Sequence, residues 1–186
     1  VFNTAYRRPI DRPVALGLIQ LLWDRSEANG YAHHVTGDTY GDGGAVLTDF
    51  GATPAKDLLV FMAYADEAVP NIATEVMART MGIGVRGPVL RTDRSPKLND
   101  PMVEPLWGIE RITDFPHEGS GMLVWDFVKQ QPAPTTNTPP PSEGGPHGAG
   151  GSLSALRTLI SEYFKPGGTF VDVCTPGVPC FGEPDL

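Results

Sequence analysis

The sequence predicts an α/β fold, and three observations carry that prediction. Segments with helical patterning alternate with segments that read as strands along the chain. Two nearly continuous apolar runs, Leu58 to Ala65 and Gly121 to Val128, have the composition of strands covered on both faces, as in a parallel sheet flanked by helices. The 186 residues include 22 Gly and 19 Pro, about twice average usage, so long irregular connections are expected between the regular elements. A chain of this length with 40% hydrophobic residues supports one core.

Along the chain, residues 14–23, Val-Ala-Leu-Gly-Leu-Ile-Gln-Leu-Leu-Trp, read first as a buried helix with Pro13 at its first position. Asp24 to His34 is polar and turn-rich. It leads into Thr36 to Gly44, where four glycines in nine residues exclude regular structure. Ala45 to Phe50 reads as a short strand or a loop edge. The first apolar run comes after Asp57 and hands over to Asp66-Glu-Ala-Val-Pro70. A helix is then expected from Asn71 as N-cap, with Ile72, Val76 and Met77 on one face and Gly82 as its stop. Residues 83–120 read mostly as loop, and the second apolar run as the second buried strand. Residues 131–151 are a low-complexity Pro/Gly segment. Ser152 is the expected cap of a helix carrying Leu153, Leu156, Ile160 and Tyr163 on one stripe, ended by Pro166-Gly-Gly. Thr169 to Val173 reads as a last short strand. The organisation expected is one unit over 1–186, with the Pro/Gly loop at 131–151 and a closed tail at 169–186.

Composition narrows the function. Fourteen basic against 22 acidic residues give a net charge of −8, which argues against nucleic acid and anionic membranes as partners. The apolar runs are too short to span a bilayer. Cys174 and Cys180 are the only cysteines, too few for a metal knuckle, and a Thr-Pro-Gly turn between them lets the sulfurs meet. A small disulfide closing the tail is expected, and with it an oxidising compartment; two unpaired small hydrophobes are the other reading. The chain starts at Val1 without Met or signal peptide, as expected of a mature, cleaved or trimmed product.

The chemistry expected rests on the residues just past the two strands. In open α/β sheets, sites form beyond the carboxyl ends of the strands. Asp66 comes directly after the first buried strand, and His147 lies between the second and the helix after it. A carboxylate that orients an imidazole, and an imidazole that takes a proton from a nucleophile, are two thirds of a Ser-His-Asp relay. His117, in Phe115-Pro-His-Glu-Gly, is the competing base. It precedes the second strand, the wrong order for the relay, and reads as a loop histidine.

Leu58 to Gly82, with Asp-Glu-Ala-Val-Pro-Asn directly after the strand, resembles the acid-bearing strand and helix of α/β-hydrolases. Further stretches add to the resemblance: Asn29-Gly-Tyr-Ala-His, Ala78-Arg-Thr-Met-Gly, Asp93-Arg-Ser-Pro, Leu106-Trp-Gly-Ile, Gly121-Met-Leu-Val-Trp-Asp, Gly145-Pro-His and Val171-Asp-Val-Cys. The whole chain resembles the C-terminal half of a secreted bacterial member of the esterase/lipase type. The resemblance implies a secreted, periplasmic or cell-surface serine hydrolase of carboxylic esters, with Asp66 and His147 as acid and base and no cofactor.

The chain departs from that family at the nucleophile. The family's serine lies in Gly-x-Ser-x-Gly at a strand-to-helix elbow, and none of the seven serines here, Ser26, Ser95, Ser120, Ser142, Ser152, Ser154 and Ser161, stands in that frame. The serine is therefore expected on an N-terminal chain or segment of the same precursor. The helix at 14–23 would pack against that segment, and the chain alone is expected to be inactive. The alternative is a non-catalytic extracellular binding or assembly module on the same scaffold.

Other readings are weaker. Adjacent His33 and His34 diverge and lack a carboxylate at ligand spacing, so no metal site is expected. Asp38 and Asp42 sit in the glycine-rich turn without the regular spacing of a Ca²⁺ loop. His147-Gly-Ala-Gly-Gly lies too near the C-terminus for a lipase oxyanion loop. Trp23, Trp107 and Trp125 read as packing residues.

Overall fold

The structure is a computed structural model. It describes residues 8–23, 28–32, 35, 56–66, 69, 71–91, 94, 106–128 and 146–183. The expectations for Thr36 to Gly44, for Ala45 to Phe50, for His33 and His34, and for 131–145 lie outside the described residues.

A 3₁₀ turn at Pro9–Asp11 enters helix α1, Arg12–Trp23, and a one-turn helix α2 spans Ala28–Tyr31. Strand β1, Leu59–Ala63, is followed by helix α3, Asn71–Met81, and then by strands β2, Gly84–Arg86, β3, Arg111–Ile112, and β4, Gly121–Trp125. A 3₁₀ turn at Ala149–Ser152 leads into helix α4, Ser154–Phe164. The four strands form one sheet in the order β1-β4-β2-β3, and every pairing is parallel. Leu59 pairs with Gly121 and Ala63 with Trp125, so β1 and β4 end at the same level. The expected α/β class is therefore present, with helices on both faces of a parallel sheet.

Side-chain alternation along β1 and β4 divides the core in two. Met62, Tyr64, Met122 and Val124 face α3 and pack with Ala78, Met81, Ile83 and Val85. Ala63, Leu123 and Trp125 face the other way and pack with Leu153, Leu156 and Leu159 of α4 and its approach, and with Phe170. All five residues of β4 are buried, which explains its unbroken apolar run. At Gly121 an added Cβ would stand 2.7 Å from the Phe170 ring, so the absence of a side chain there lets Phe170 close over the sheet.

Several expectations are corrected. Helix α1 buries none of its residues, and Val14, Leu16, Leu18 and Trp23 are all exposed. In α3 the buried positions are Ala78 and Met81, whereas Ile72 and Val76 face outward. The Asn71 side chain turns back to the preceding strand instead of capping its own helix. Leu153, not Ser152, precedes α4 as its cap residue, and no side chain caps that end. Leu156 and Leu159 are the buried residues of α4, while Ile160 is exposed. Thr169 to Val173 forms no strand; Phe170 makes a single antiparallel bridge to His117. Residues 83–120 contain β2 and β3, each too short to show a pattern. Trp125 belongs to the core, but Trp23 and Trp107 are exposed.

Cys174 and Cys180 are disulfide-bonded, with their Cα atoms 5.5 Å apart. The tail beyond them runs alongside the end of β4. Asp126 N–H donates to the Cys180 carbonyl, Gly182 N–H donates to the Asp126 carbonyl, and the Trp125 indole donates to the Gly182 carbonyl. At the far end of α4, the Tyr163 hydroxyl donates to the Gly119 carbonyl, and burial, with a smaller push from Asp57, raises its pKa above the ordinary value. No helix among the described residues is long and apolar enough to cross a membrane.

Candidate functional site

Beyond the carboxyl ends of β1 and β4 the structure brings Asp66 and His147 together. The His147 Nδ1 lies 2.9 Å from the Asp66 Oδ2 across 81 residues of sequence. An ionised carboxylate only accepts, so a neutral imidazole in this contact carries its proton on Nδ1 and presents Nε2 as an acceptor. The Asp66 side chain is 11% exposed and that of His147 57%, so the carboxylate is sheltered behind an imidazole open to solvent. The second carboxylate oxygen, Oδ1, accepts the Val69 N–H at 3.1 Å, which fixes the plane of the carboxylate.

The path to Asp66 is built by a residue whose sequence pattern is that of a helix cap. Ala65 has φ of +62°, a left-handed conformation that costs on the order of 1–3 kcal/mol for a residue with a Cβ. The Asn71 amide brackets that turn. Its Oδ1 accepts the Ala65 N–H at 2.8 Å, and its Nδ2 donates to the Ala63 carbonyl at 2.8 Å. The chain is thereby turned sharply at the end of β1, and Asp66 points toward the 146–151 segment. An Asn five residues after an Asp is too common for this to be read from sequence alone.

His147 is placed by close packing of the glycines around it. Gly148 has φ of +83°, and the Ala149 N–H donates to the Pro146 carbonyl, making a tight turn around the imidazole. Gly150 is buried against β1, where an added Cβ would lie 2.6 Å from the Phe61 Cε1. The glycines therefore let the His147 segment lie directly on β1. Leu153 and Leu156 then anchor it in the core.

An unforeseen group joins the residues just past the two strands. Arg94 forms a buried bidentate ion pair with Asp126, at 2.6 and 2.9 Å. Its guanidinium also stands over the Tyr64 ring, 5.8 Å from the centroid, and its carbonyl accepts from the Tyr64 hydroxyl. Tyr64 directly follows β1 and Asp126 directly follows β4, so one arginine ties together the chain just past the two strand ends that carry Asp66 and lead to His147. The sequence signal was a lone Asp closing an apolar strand, which needs a buried partner.

A cleft of about 340 Å³ opens at the pair, lined by Phe61, Met62 and Ala63 of β1, by Val69 and Thr74, and by the glycines after His147. His117 is not in it. That residue lines a second cavity of about 470 Å³, together with Glu110, Arg111, Asp114 and Ser120. The two cysteines lie in the tail, bonded to each other. Asp66 and His147 are thus brought together, and His117 belongs elsewhere.

Comparison with protein-family models, with curated proteins and with solved structures finds no match to this chain.

Proposed function

We propose that this chain is the acid–base half of a secreted serine hydrolase of the α/β-hydrolase type that cleaves carboxylic esters. The observation that carries the reading is the 2.9 Å contact between Asp66 and His147 at the carboxyl ends of adjacent parallel strands. Asp66 orients the imidazole and balances its charge when it is protonated. Nε2 takes the proton of a serine hydroxyl as the serine oxygen bonds to the ester carbonyl carbon. The imidazolium then protonates the departing alkoxide, and a water deprotonated by the same nitrogen releases the acid from the acyl-enzyme. The serine belongs to an N-terminal segment of the same precursor, outside this sequence. The disulfide is in keeping with secretion, because such bonds persist in oxidising compartments.

The test is a fluorophosphonate probe, which esterifies an activated serine, applied to the native material with masses read before and after denaturation. Labelling of a co-purifying chain is expected, and His147→Ala should reduce the labelling rate by roughly 10³-fold or more. A single folded 19.9 kDa species that the probe leaves untouched would reject the catalytic reading in favour of a non-catalytic binding or assembly module.

A further inference from the structure

The disulfide-bonded tail occupies a place in the sheet that β2 gives up. β2 pairs with β4 at Gly84–Gly121 and Val85–Met122, near the start of β4. Alternate residues of a parallel strand turn their backbone groups to opposite neighbours. The Gly121 N–H donates to the Leu58 carbonyl on the β1 side, so Met122, Val124 and Asp126 turn theirs to the β2 side. At Asp126 the neighbour on that side is the tail. Its N–H donates to the Cys180 carbonyl at 3.0 Å and its carbonyl accepts the Gly182 N–H at 3.1 Å, a parallel bridge with Phe181.

The two limbs of the tail are held differently. Buried Arg86 donates to the Thr175 and Val178 carbonyls and fixes the near limb. The far limb, 180–182, rests on its bonds to Asp126 and the Trp125 indole, on Arg91 over the Phe181 ring, and on the disulfide. Cys180 is buried, whereas half-buried Cys174 adjoins the exposed turn Thr175-Pro-Gly177. A cross-link over six residues suppresses the open states of the limb it closes. Asp126 carries the consequence onward. Its carboxylate pairs with Arg94, whose carbonyl accepts the Tyr64 hydroxyl, and Tyr64 lies two residues before Asp66.

We propose that the Cys174–Cys180 bond is a redox latch on the Asp66–His147 pair. Formed, it seats the tail against Asp126 and keeps Asp66 aligned with His147. Reduced, it lets the far limb leave β4, and the pair loosens. A dithiol opens the latch: one thiolate attacks the Cys174 Sγ, and Cys180 departs as a thiolate and takes a proton. The second thiol of the reductant then displaces the Cys174 thiolate, and the reductant leaves as a cyclic disulfide, two electrons poorer. A disulfide donor reverses the exchange, as entry into an oxidising compartment would. As control of hydrolysis this rests on the acid–base reading, but the latch itself is measured without a nucleophile.

The experiment treats the 186-residue chain with dithiothreitol and then with oxidised glutathione, following amide exchange and the His147 tautomer by NMR at each stage. Reduction should speed exchange of the Asp126 and Gly182 amides by roughly tenfold or more and lower the Nδ1–H tautomer fraction. The Val85 amide, bonded to Glu110 within the sheet, should exchange as before. Reoxidation should restore all three readings. Cys174→Ala combined with Cys180→Ala should hold the reduced pattern and no longer answer to the dithiol. An open tail with an unchanged tautomer overturns the latch and leaves the disulfide a clamp on the tail alone. Asp126 and Gly182 still protected once both thiols titrate, or Val85 speeding up as much as they do, overturns it too. Where the double variant does not fold, reduction and reoxidation of the unsubstituted chain decide. A latch that responds while fluorophosphonate labelling ignores His147→Ala sinks the catalytic reading alone.

Discussion

Asn71 holds the turn from which Asp66 reaches His147. Its amide is both acceptor and donor, and the turn it holds contains the left-handed Ala65. Asn71→Ala removes both bonds and should cost about 1–3 kcal/mol. It should also loosen the Asp66 contact, which nitrogen NMR of neutral His147 reads as a fall in the Nδ1–H tautomer. Asn71→Asp keeps the acceptor for Ala65 but sets a carboxylate against the Ala63 carbonyl, so it should not rescue. An unchanged tautomer in Asn71→Ala would show that Asn71 shapes the turn without positioning the acid. At this scale the sequence was informative about which groups meet, because an Asp directly after one buried strand and a His after the next end at neighbouring strand tips. It was silent on what holds them. Asn71 satisfied the pattern of a helix cap equally well, and only the path of the chain shows its amide turned toward the strand.

Among the elements, the long apolar runs were legible and the short strands were not. β1 and β4 have enough consecutive apolar residues to exclude an amphipathic helix, whereas β2 and β3 hold three and two residues. Those two exist because a neighbour pairs with them, which no local pattern records. Helix α4 shows a different ambiguity. Leu156 and Ile160 are four apart and Leu156 and Leu159 are three apart, so either stripe fits a helical period. The roll of α4 on the sheet selects Leu159, which is fully buried, over Ile160, which is 42% exposed. Leu159→Ala should therefore destabilise by roughly 2–5 kcal/mol, and Ile160→Ala by less than about 1 kcal/mol. Denaturant midpoints of the two variants check the order, and equal losses would mean that α4 is rolled toward Ile160. Helix α1 inverts the same logic. Its composition is that of a core helix, but its apolar side chains lie in solvent, a surface suited to cover by another polypeptide.

The whole molecule is joined by two buried arginines from stretches that looked like loop. Arg86 pairs with Asp172 and donates to the Thr175 and Val178 carbonyls, fastening the disulfide loop to the end of β2. Arg94 pairs with Asp126 and fastens the end of β4 to that of β1 through Tyr64. These pairs explain why charged residues stand in otherwise apolar surroundings, and they join segments 86 and 32 residues apart. Removing one partner leaves the other charge uncompensated in the interior, which costs far more than the pair's net worth. Asp126→Ala should thus lower stability by about 3–5 kcal/mol, while Arg94→Met combined with Asp126→Leu should recover most of the loss. A double-mutant cycle on denaturant unfolding measures both, and a single-variant loss below about 1 kcal/mol would mean that water reaches the pair. The cycle also separates stability from the site. If the pair holds the two strand ends in register, the apolar double variant should keep its stability yet loosen the His147 contact with Asp66, seen as a fall in the Nδ1–H tautomer. If the apolar pair supports the strand ends equally well, the tautomer stays, and the arginine serves folding rather than the alignment of Asp66 with His147.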